Sequence, residues 1–377
     1  MPLEDPPRAA AWLRLLRTPG LGPRRIARLL ERHGHPAAVL EAVAAGAAEG
    51  AGPPPAEDDP GVAADLRWLE APRRRLLSLD DPDYPPLLAA IEAPPAALFL
   101  EGEDALLWHP QIAVVGSRNP TAGGRDNAAA FAAGLGRAGL VVTSGLASGI
   151  DTAAHAAALD AGGTTIAVMG TGPDRIYPAR NRALAERIAA EGLLVTEYPC
   201  GTGPRREHFP QRNRIVAGLS LGTLVVEAAL QSGALISARL AAEAGREVFA
   251  LPGSIHNPLA RGCHRLIREG ATLVETVDDI VQALAGPARE LGRQLRQRLD
   301  APEPCASALP SAGRAGGGAD DPAYARLLAA LGHDPVPLDL LARRTGLTVD
   351  ALSSMLLVLE LEGRVTATHG RYARVGR

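Results

Sequence analysis

Short apolar runs alternate with alanine-rich stretches along the middle of the chain, from about Pro72 to Ala285. Each run is followed by glycine, serine, proline or a polar loop, which is typical of parallel strands buried on both faces. The segments between the runs are long enough for crossover helices. Residues 71–286 are therefore predicted to form an α/β domain with a Rossmann-like, doubly wound, mainly parallel sheet. The predicted strands are Ile112–Val115, Leu140–Thr143, Thr165–Met169, Leu193–Thr196, Thr223–Val226, Val248–Leu251 and Thr272–Val274.

The N-terminal residues 1–70 show short helical segments and are predicted to form an all-helical domain. Within them, the turn Gly20-Leu21-Gly22 precedes an amphipathic helix. This arrangement resembles a helix-hairpin-helix motif, in which glycines let backbone amides approach a phosphate. A small helical bundle with a glycine turn explains the same residues, so both interpretations stay open. Residues 44–60, rich in Gly and Pro, are predicted to be a flexible connection.

Two further regions follow the sheet domain. Residues 287–320 become rich in Pro, Gly, Ala and Ser and are predicted to be a linker. Residues 321–377 are predicted to form a winged-helix domain, with helices near 324–331, 338–344 and 349–362 before a hairpin of residues 363–375. The third helix has no arginine and carries Asp350, Glu360 and Glu362, so we expect it to contact protein rather than to read duplex DNA.

Composition restricts the chemistry. All 39 basic residues of the 377-residue chain are arginine, which excludes a lysine Schiff base and the lysine of a P-loop. The net charge is −3, so a surface for nucleic acid has to be local. Such a local surplus exists, because residues 175–214 contain eight arginines and four glutamates.

The expected compartment follows from what the chain lacks. Cys200, Cys263 and Cys305 lie far apart and indicate neither a zinc site nor a disulfide framework. The N-terminus has no charged start followed by an apolar core, and no run of about 20 apolar residues could cross a bilayer. We therefore expect a cytoplasmic protein without membrane contact, metal or cofactor.

The first two loops after the predicted strands contain candidate ligand contacts, since open α/β sheets bind ligands there. Gly116-Ser117-Arg118 combines a turn of small residues with a guanidinium suited to phosphate. The Gly-x-Gly-x-x-Gly pattern is absent, so a nicotinamide cofactor is not expected. Gly145 begins a second loop rich in glycine and hydroxyl groups. Its Ser148, Asp151 and His155 invite a hydrolase interpretation, but Asp151 and His155 are four apart on one helix, where a local pair or cap is the ordinary explanation.

The next two loops place arginines beside aromatic rings. Arginines for phosphates and rings for base stacking are what single-stranded nucleic acid requires. The stretch Phe209–Gly218 crowds three planar hydrogen-bonding side chains at a predicted strand-to-helix junction, and Phe209 either stacks on a base or anchors the loop. The predicted DNA contacts are Ser117, Arg118, Gly145, Tyr177, Arg180, Arg182, Arg205, Phe209, Arg212, Asn213 and Arg214.

The loop motifs resemble, in order, those of the DNA-processing protein A family, also called DprA or Smf. The matching positions are Gly116-Ser117-Arg118, residues 144–151 with His155, Tyr177-Pro178 with Asn181, residues 209–214, Ser232-Gly233 and Leu251-Pro252-Gly253. The resemblance covers the whole predicted sheet domain.

The resemblance implies a function without catalysis. A member of this family would bind incoming single-stranded DNA and help to load RecA onto it past single-strand-binding protein in natural transformation. It would act as a homodimer formed through the Rossmann-like domain. Arg118 matches the family's DNA-contacting arginine, and either Arg180 or Arg182 takes the basic position after Tyr177-Pro178. From the residues alone, a nucleotide-processing enzyme with Asp151 or Glu227 as base, or a nucleotide-sensing regulator, stays an alternative.

Overall fold

The computed structural model describes residues 5–298 without a gap, and separate positions between Leu327 and Arg374. Met1–Pro302 form one compact unit and Glu303–Arg377 a second. The strands of the first unit are β1 (Arg74–Ser78), β2 (Ala97–Gly102), β3 (Gln111–Val115), β4 (Val141–Ser144), β5 (Thr165–Val168), β6 (Leu193–Thr196), β7 (Gly222–Val225), β8 (Glu247–Ala250) and β9 (Thr272–Leu273). They form one sheet in the order β1-β2-β6-β5-β4-β3-β7-β8-β9.

The predicted Rossmann-like sheet is confirmed. The seven predicted strands correspond to β3–β9, which pair in parallel throughout. The sequence pattern missed β1 and β2, which extend the sheet in antiparallel fashion beyond β6. Strand β1 begins with two arginines and so does not stand out as an apolar run. Strand β2 begins with the buried apolar residues 97–100 between Pro94-Pro95 and Gly102, so the sequence carried a strand signal there that the interpretation missed.

Helices cover both faces of the sheet. The α-helices that follow β1 in this unit are α5 (Pro86–Ala89, before β2), α6 (Ala122–Arg137), α7 (Ile150–Asp160), α8 (Arg182–Glu191), α9 (His208–Leu219), α10 (Gly233–Glu243), α11 (Arg261–Arg268) and α12 (Val277–Arg298). Val115 and Ile166 pack with Ile215 of α9 on one face, whereas Val114 and Val142 belong to the core on the opposite face. Alternate side chains of the central strands β3–β7 are thus buried on both faces.

The N-terminal helical domain is also confirmed. Its helices are α1 (Pro6–Arg17), α2 (Pro23–His33), α3 (Pro36–Ala44) and α4 (Pro60–Leu69), each with a proline in its first turn. Proline suits that position because the missing N–H would have no partner inside the helix. Trp12 and Leu15 of α1 pack with Ile26 and Leu29 of α2.

The chain after the sheet differs from the expectation at one boundary. Helix α12 continues through Pro287 to Arg298, so the start of the predicted 287–320 linker is helical. Apolar contacts carry the helix past the proline, since Leu291 is buried in the same core as Ile280 and Leu284. Residues 299–320 lie outside the described residues.

The C-terminal unit contains the predicted hairpin. Its strands β10 (Val336–Pro337), β11 (Val365–Thr368) and β12 (Arg371–Arg374) form a separate sheet in the order β10-β12-β11. Strands β11 and β12 pair in antiparallel fashion, as a winged-helix hairpin requires. The bounds of its three predicted helices, and Asp350, Glu360 and Glu362, lie outside the described residues.

The order of the sheet determines where a ligand fits. Strands β4, β5 and β6 lie on one side of β3, and β7, β8 and β9 lie on the other. The connections from β3 and β7 therefore leave in opposite directions and open a crevice at the carboxyl ends of these two strands.

Candidate nucleic-acid interface

A pocket of about 420 Å³ opens at the crevice. Its lining combines the loop after β3, the loop after β4, the first turns of α9 and the start of α10. Among the predicted site residues, it brings together Arg118, Gly145, Phe209, Arg212 and Asn213. The convergence follows from the parallel sheet, because all these loops leave the same edge.

An arginine and two aromatic rings form a row beside the pocket, which we call the arginine–aromatic row (Arg118, Phe209 and Tyr177). The guanidinium carbon of Arg118 lies 5.3 Å from the centroid of the Phe209 ring. The centroid of the Tyr177 ring lies 5.5 Å from that of Phe209, with the planes tilted by 39°. Arg118 is exposed, Tyr177 is 48% exposed and Phe209 is half-buried. A cation and an open ring face are thus available side by side.

Phe209 also anchors the start of helix α9. A Cβ at Gly170 would lie 3.0 Å from the Phe209 ring, so the ring packs directly on the backbone after β5. The anchoring expected as one alternative is therefore present, and the same ring holds Arg118 and Tyr177 in the row.

Three more predicted arginines are exposed: Arg180 in a single 3-10 turn, Arg182 at the start of α8 and Arg205 in the loop before α9. The ion pairs of residues 5–298 include none of these three and not Arg118. Their charges are thus not neutralised within that part of the chain. Ser117 shapes the loop that presents Arg118: its N–H donates to the Glu227 carbonyl at 2.7 Å and its Oγ accepts from the Asn119 N–H at 3.1 Å.

Arg212 differs from those arginines because it is 3% exposed. It donates from Nη1 to the carbonyl oxygen of Val168, at the end of β5. Its guanidinium lies against Gly145, where a Cβ would overlap it. Glycine at position 145 is therefore explained by the packing of Arg212.

The charge of Arg212 faces the buried carboxylate of Asp151. That carboxylate accepts hydrogen bonds from the N–H groups of Gly145 at 3.1 Å and Ala147 at 3.2 Å. Burial raises the pKa of Asp151, and the attraction of Arg212 opposes the rise. Burial likewise lowers the pKa of Arg212 to about 10, against the attraction of Asp151. The two opposite charges thus stabilise each other between the loop after β4 and helix α9, without a direct ion pair between them.

Asn181 fixes the same loop from the other side. Its Nδ2 donates to the carbonyl oxygen of Leu146 and to Oγ1 of Thr152, both at 2.9 Å. Leu146 has a φ of 57°, a left-handed conformation that a leucine adopts only when its surroundings impose it. The spacing of the motifs gives no signal for this contact, because 35 positions separate Asn181 from Leu146.

Arg214 does not share the pocket with Arg118. The predicted strand-to-helix junction is the start of α9 itself, and its side chains divide between two faces. Arg214 forms an ion pair with Glu197 and lines a second cleft, whereas Asn213 lines the pocket and donates from Nδ2 to the Gly233 carbonyl at 3.4 Å. The predicted contacts of the stretch Phe209–Gly218 thus lie on two surfaces, with Phe209, Arg212 and Asn213 at the pocket and Arg214 at the second cleft.

The side chains considered for catalysis hold loops in place. Glu227 accepts from the Thr121 N–H at 2.9 Å, from Thr121 Oγ1 at 2.7 Å and from Asn257 Nδ2 at 3.1 Å. His155 is fully buried, with Nδ1 2.6 Å from Oγ1 of Thr165, the first residue of β5. These contacts give no support to a hydrolase. Among the described residues, no cluster of His, Cys, Asp and Glu could hold a metal ion.

Comparisons with known proteins assign the family. The family model described as DNA recombination-mediator protein A matches residues 75–285. The chain belongs to this family. A DprA winged helix domain model matches residues 310–371, and a DprA-like N-terminal HHH domain model matches residues 7–63.

Individual members of the family agree with this assignment. Protein Smf of Escherichia coli is 42% identical over 84% of this chain and 81% of its own length. DNA processing protein DprA of Streptococcus pneumoniae is 48% identical over 54% of this chain and 72% of its own length. The X-ray structure of the pneumococcal protein superposes with a TM-score of 0.63 at 38% identity, covering 72% of this chain and 97% of that one.

A second solved structure carries a description of its ligand. It belongs to DNA processing protein A of Helicobacter pylori and is described as giving insight into a unique single-stranded DNA binding mode. Its TM-score is 0.51 at 30% identity, covering 56% of this chain and 97% of that one. Within the described residues of the present chain, no helix has the length and apolar character needed to traverse a bilayer.

Proposed function

We propose that this protein binds single-stranded DNA at the crevice and acts as a recombination mediator in the cytoplasm. The arginine–aromatic row carries the proposal, because an exposed cation and an exposed ring lie side by side at the ligand-binding edge of the sheet. The description of the Helicobacter pylori relative supports the same ligand. The proposed DNA contacts are Ser117, Arg118, Tyr177, Arg180, Arg182, Arg205, Phe209 and Asn213, with Arg212 and Gly145 beneath them.

A single strand fits this surface better than a duplex does. The open face of Tyr177 needs an unstacked base, and a duplex keeps its bases stacked inside. The exposed arginines lie on separate segments of the chain, after β3, around the start of α8 and before α9, so they can contact phosphates along a flexible backbone. Stacking tolerates every base, and we therefore expect weak sequence preference.

The direct test compares a labelled single strand with a duplex of the same length by fluorescence anisotropy at increasing salt. We expect tighter binding of the single strand, with a logarithmic salt slope of about −0.7 per neutralised phosphate. Tyr177→Ala should lose about 1–3 kcal/mol of binding free energy, and Tyr177→Phe should retain it. Equal affinity for the duplex, or affinity that salt does not change, would contradict the proposal.

The bound strand would then pass to RecA. A mediator has to hold DNA that single-strand-binding protein would otherwise cover, and then yield it to the growing filament. The expected result is faster RecA filament formation on strands coated with single-strand-binding protein when this protein is present. A protein that binds DNA and leaves that rate unchanged would separate DNA binding from mediation.

A homodimer of the Rossmann-like domain belongs to the same proposal. Leu230, Ile255 and Leu273 are large apolar side chains with 48%, 74% and 46% of their surface exposed, and Leu273 lies on β9 at the outer edge of the sheet. Exposed apolar side chains on an open edge favour association. Leu273→Arg should shift the sedimentation coefficient from dimer to monomer, and an unchanged dimer would place the interface elsewhere.

A further inference from the structure

The loop after β6 connects the N-terminal helical domain to the proposed DNA contacts. It consists of residues 197–207, and we call it the junction loop. The exposed Arg205 lies near its end, and helix α9 with Phe209 begins directly after it. The junction loop contains no helix or strand, so its position depends on contacts with other segments.

A buried carboxylate of the helical domain holds the middle of the junction loop. Asp65 lies on α4 and is fully buried, and its Oδ1 accepts a hydrogen bond from the backbone N–H of Cys200 at 2.8 Å. Arg17 of α1 donates from Nη2 to Oδ1 of Asp65 at 2.9 Å and from the same nitrogen to the Cys200 carbonyl at 3.0 Å. Both backbone polar groups of Cys200 are thus paired with side chains of the helical domain.

The charge of Asp65 is already compensated inside the helical domain. Nε of Arg17 donates to Oδ2 of Asp65 at 2.5 Å, which together with the bond to Oδ1 makes a bidentate pair. Burial alone would lower the pKa of Arg17, but the hydrogen bond and the charge of Asp65 raise that pKa above its ordinary value. The ion pair is therefore complete without Cys200, and the further bond to the Cys200 N–H joins the helical domain to the junction loop.

Apolar packing keeps this domain in place beside the sheet. The Trp68 ring of α4 meets the Phe99 ring of β2 edge to face, with ring centroids 5.8 Å apart. Leu69 belongs to the same core, and Cys200 packs against it. The helix that supplies Asp65 is therefore fixed to the sheet, and can hold the junction loop in a defined position.

The loop after β5, which carries Tyr177, contacts the same part of the junction loop. Oδ1 of Asp174 accepts from the Gly201 N–H at 2.9 Å, and the Gly172 N–H donates to the Thr202 carbonyl at 2.9 Å. A Cβ at Gly172 would overlap the backbone of the junction loop, so the two loops approach as closely as glycine permits. Consecutive residues of the junction loop are therefore bonded to the helical domain and to the loop that carries Tyr177.

We propose that Asp65 and Asp174 are positioning residues for single-strand binding. Their carboxylates hold the junction loop and so fix Arg205, near its end, relative to Tyr177 in the neighbouring loop. A cation and a ring that keep a fixed relation bind one strand together, since the first contact holds the strand close to the second. The inference rests on the proposed single-strand binding and gives the helical domain a part in it.

Both positioning residues are negatively charged, and the sign of their effect therefore tests their role. A carboxylate near bound DNA repels the phosphates, so removal of its charge alone strengthens binding. Removal of a positioning residue weakens binding instead. The direction of the change in affinity thus distinguishes an electrostatic effect from positioning.

The first test is Asp174→Ala, because this side chain is partly exposed and its loss leaves the core intact. Binding of a labelled oligothymidylate of about 16 nucleotides, measured by fluorescence anisotropy, should weaken by about three- to tenfold. In the Tyr177→Ala background the same substitution should change binding by less than about twofold, because the ring that it positions is already absent.

Glu186→Ala provides the matched control, since it removes the same charge from an exposed position of α8. Its binding should equal that of the wild-type protein or be slightly tighter. Tighter binding by Asp174→Ala, or a loss that adds fully to that of Tyr177→Ala, would overturn the inference.

The second test concerns the helical domain. Arg17→Met with Asp65→Leu replaces the buried ion pair by apolar side chains, which often preserves stability, and leaves the Cys200 N–H without an acceptor. Arg17→Met with Asp65→Asn has the same charge and keeps a side-chain oxygen for that N–H. We expect about three- to tenfold weaker binding of the oligothymidylate by the first variant, and less than about twofold by the second.

Thermal unfolding shows whether both double variants are folded at the temperature of the binding measurement. Equal affinities of the two folded proteins would overturn the role of Asp65, and if either is unfolded, the result for Asp174→Ala alone decides. A wild-type protein that binds no single strand would overturn the proposed function, and this inference with it. Wild-type binding together with unchanged binding by Asp174→Ala would overturn the positioning roles alone.

Discussion

Arg118 and Arg212 line one pocket, and the protein uses the same side chain in opposite ways there. Arg118 is exposed, lies over an aromatic ring and has no carboxylate partner within residues 5–298. Arg212 is 3% exposed and lies between Gly145, the Val168 carbonyl and the carboxylate of Asp151. Arg118 is therefore placed to exchange water for a phosphate. Arg212 is already withdrawn from water: its Nη1 donates to the Val168 carbonyl, and its buried Nε has no hydrogen-bond partner among the described residues.

The role of a cation at a binding edge therefore depends on the groups that it contacts. Desolvation of Arg212 and Asp151 is costly, and each compensates the other only while both are present. The free energy of unfolding should therefore respond to Arg212 and the affinity for DNA to Arg118. Substitutions of these two arginines and of their neighbours test this difference between a structural and a ligand-binding role.

Arg212→Met should lower the free energy of unfolding by about 3–5 kcal/mol, because Asp151 stays buried without its partner. Arg118→Met removes the same group from an exposed loop and should change it by less than about 0.5 kcal/mol. Urea denaturation followed by circular dichroism measures both. Similar losses for the two variants would abolish the distinction between them.

Gly145→Ala should destabilise the protein by about 1–3 kcal/mol, since the added methyl overlaps the Arg212 guanidinium. The control is Gly123→Ala in α6, where the only atom near the new methyl is Oγ1 of Thr121 at 4.0 Å. That control should be neutral or stabilise the helix by up to about 1 kcal/mol. Differential scanning calorimetry gives both values. A tolerated alanine at position 145 would show that Arg212 can move aside.

Stability should also fall as the pH drops below 6.5, because burial lowers the pKa of His155 to about 3, assisted by the nearby Arg212. Above pH 6.5 the His155 imidazole is neutral in both the folded and the unfolded protein. Between pH 6.5 and about 3, only the unfolded protein binds the proton. The loss is about 1.4 kcal/mol per pH unit. His155→Gln should remove that slope, and the difference between the two proteins isolates His155 from Asp151, whose raised pKa acts in the opposite direction. Identical pH profiles would contradict the assignment.

The smallest expected effect concerns the salt dependence of DNA binding. Arg118→Met should weaken single-strand binding by about tenfold and reduce the logarithmic salt slope by about 0.7, as expected for one lost phosphate contact. Any weakening caused by Arg212→Met should leave the slope unchanged, since Arg212 acts through the loops it holds. Anisotropy titrations at several salt concentrations distinguish the two cases. A reduced slope for Arg212→Met would make it a phosphate contact.

Much of the fold was predictable because parallel strands buried on both faces leave continuous apolar runs, as β3–β7 do. Strands β1 and β2 were not predicted. They pair in antiparallel fashion and β1 begins with two arginines, although Leu77, Leu98 and Leu100 belong to the same core. The pocket loops were predictable from their position after the strands. The burial of Arg212 was not, because nothing local distinguishes it from Arg118. Residues 209–214 divide between two surfaces because they follow the helical period of α9. The sequence interpretation placed them at a strand-to-helix junction and therefore did not apply that period.

Helix α9 has a mechanical consequence that follows from its two faces. Arg212 donates to the carbonyl oxygen of Val168 at the end of β5, and Arg214 pairs with Glu197 directly after β6. Two side chains of one helix thus tether it to the ends of two neighbouring strands, and the helix cannot rotate about its axis without breaking one of these contacts. A ligand that contacts Phe209 and Asn213 therefore meets a surface that is ordered before the ligand arrives, so little conformational entropy is lost on binding.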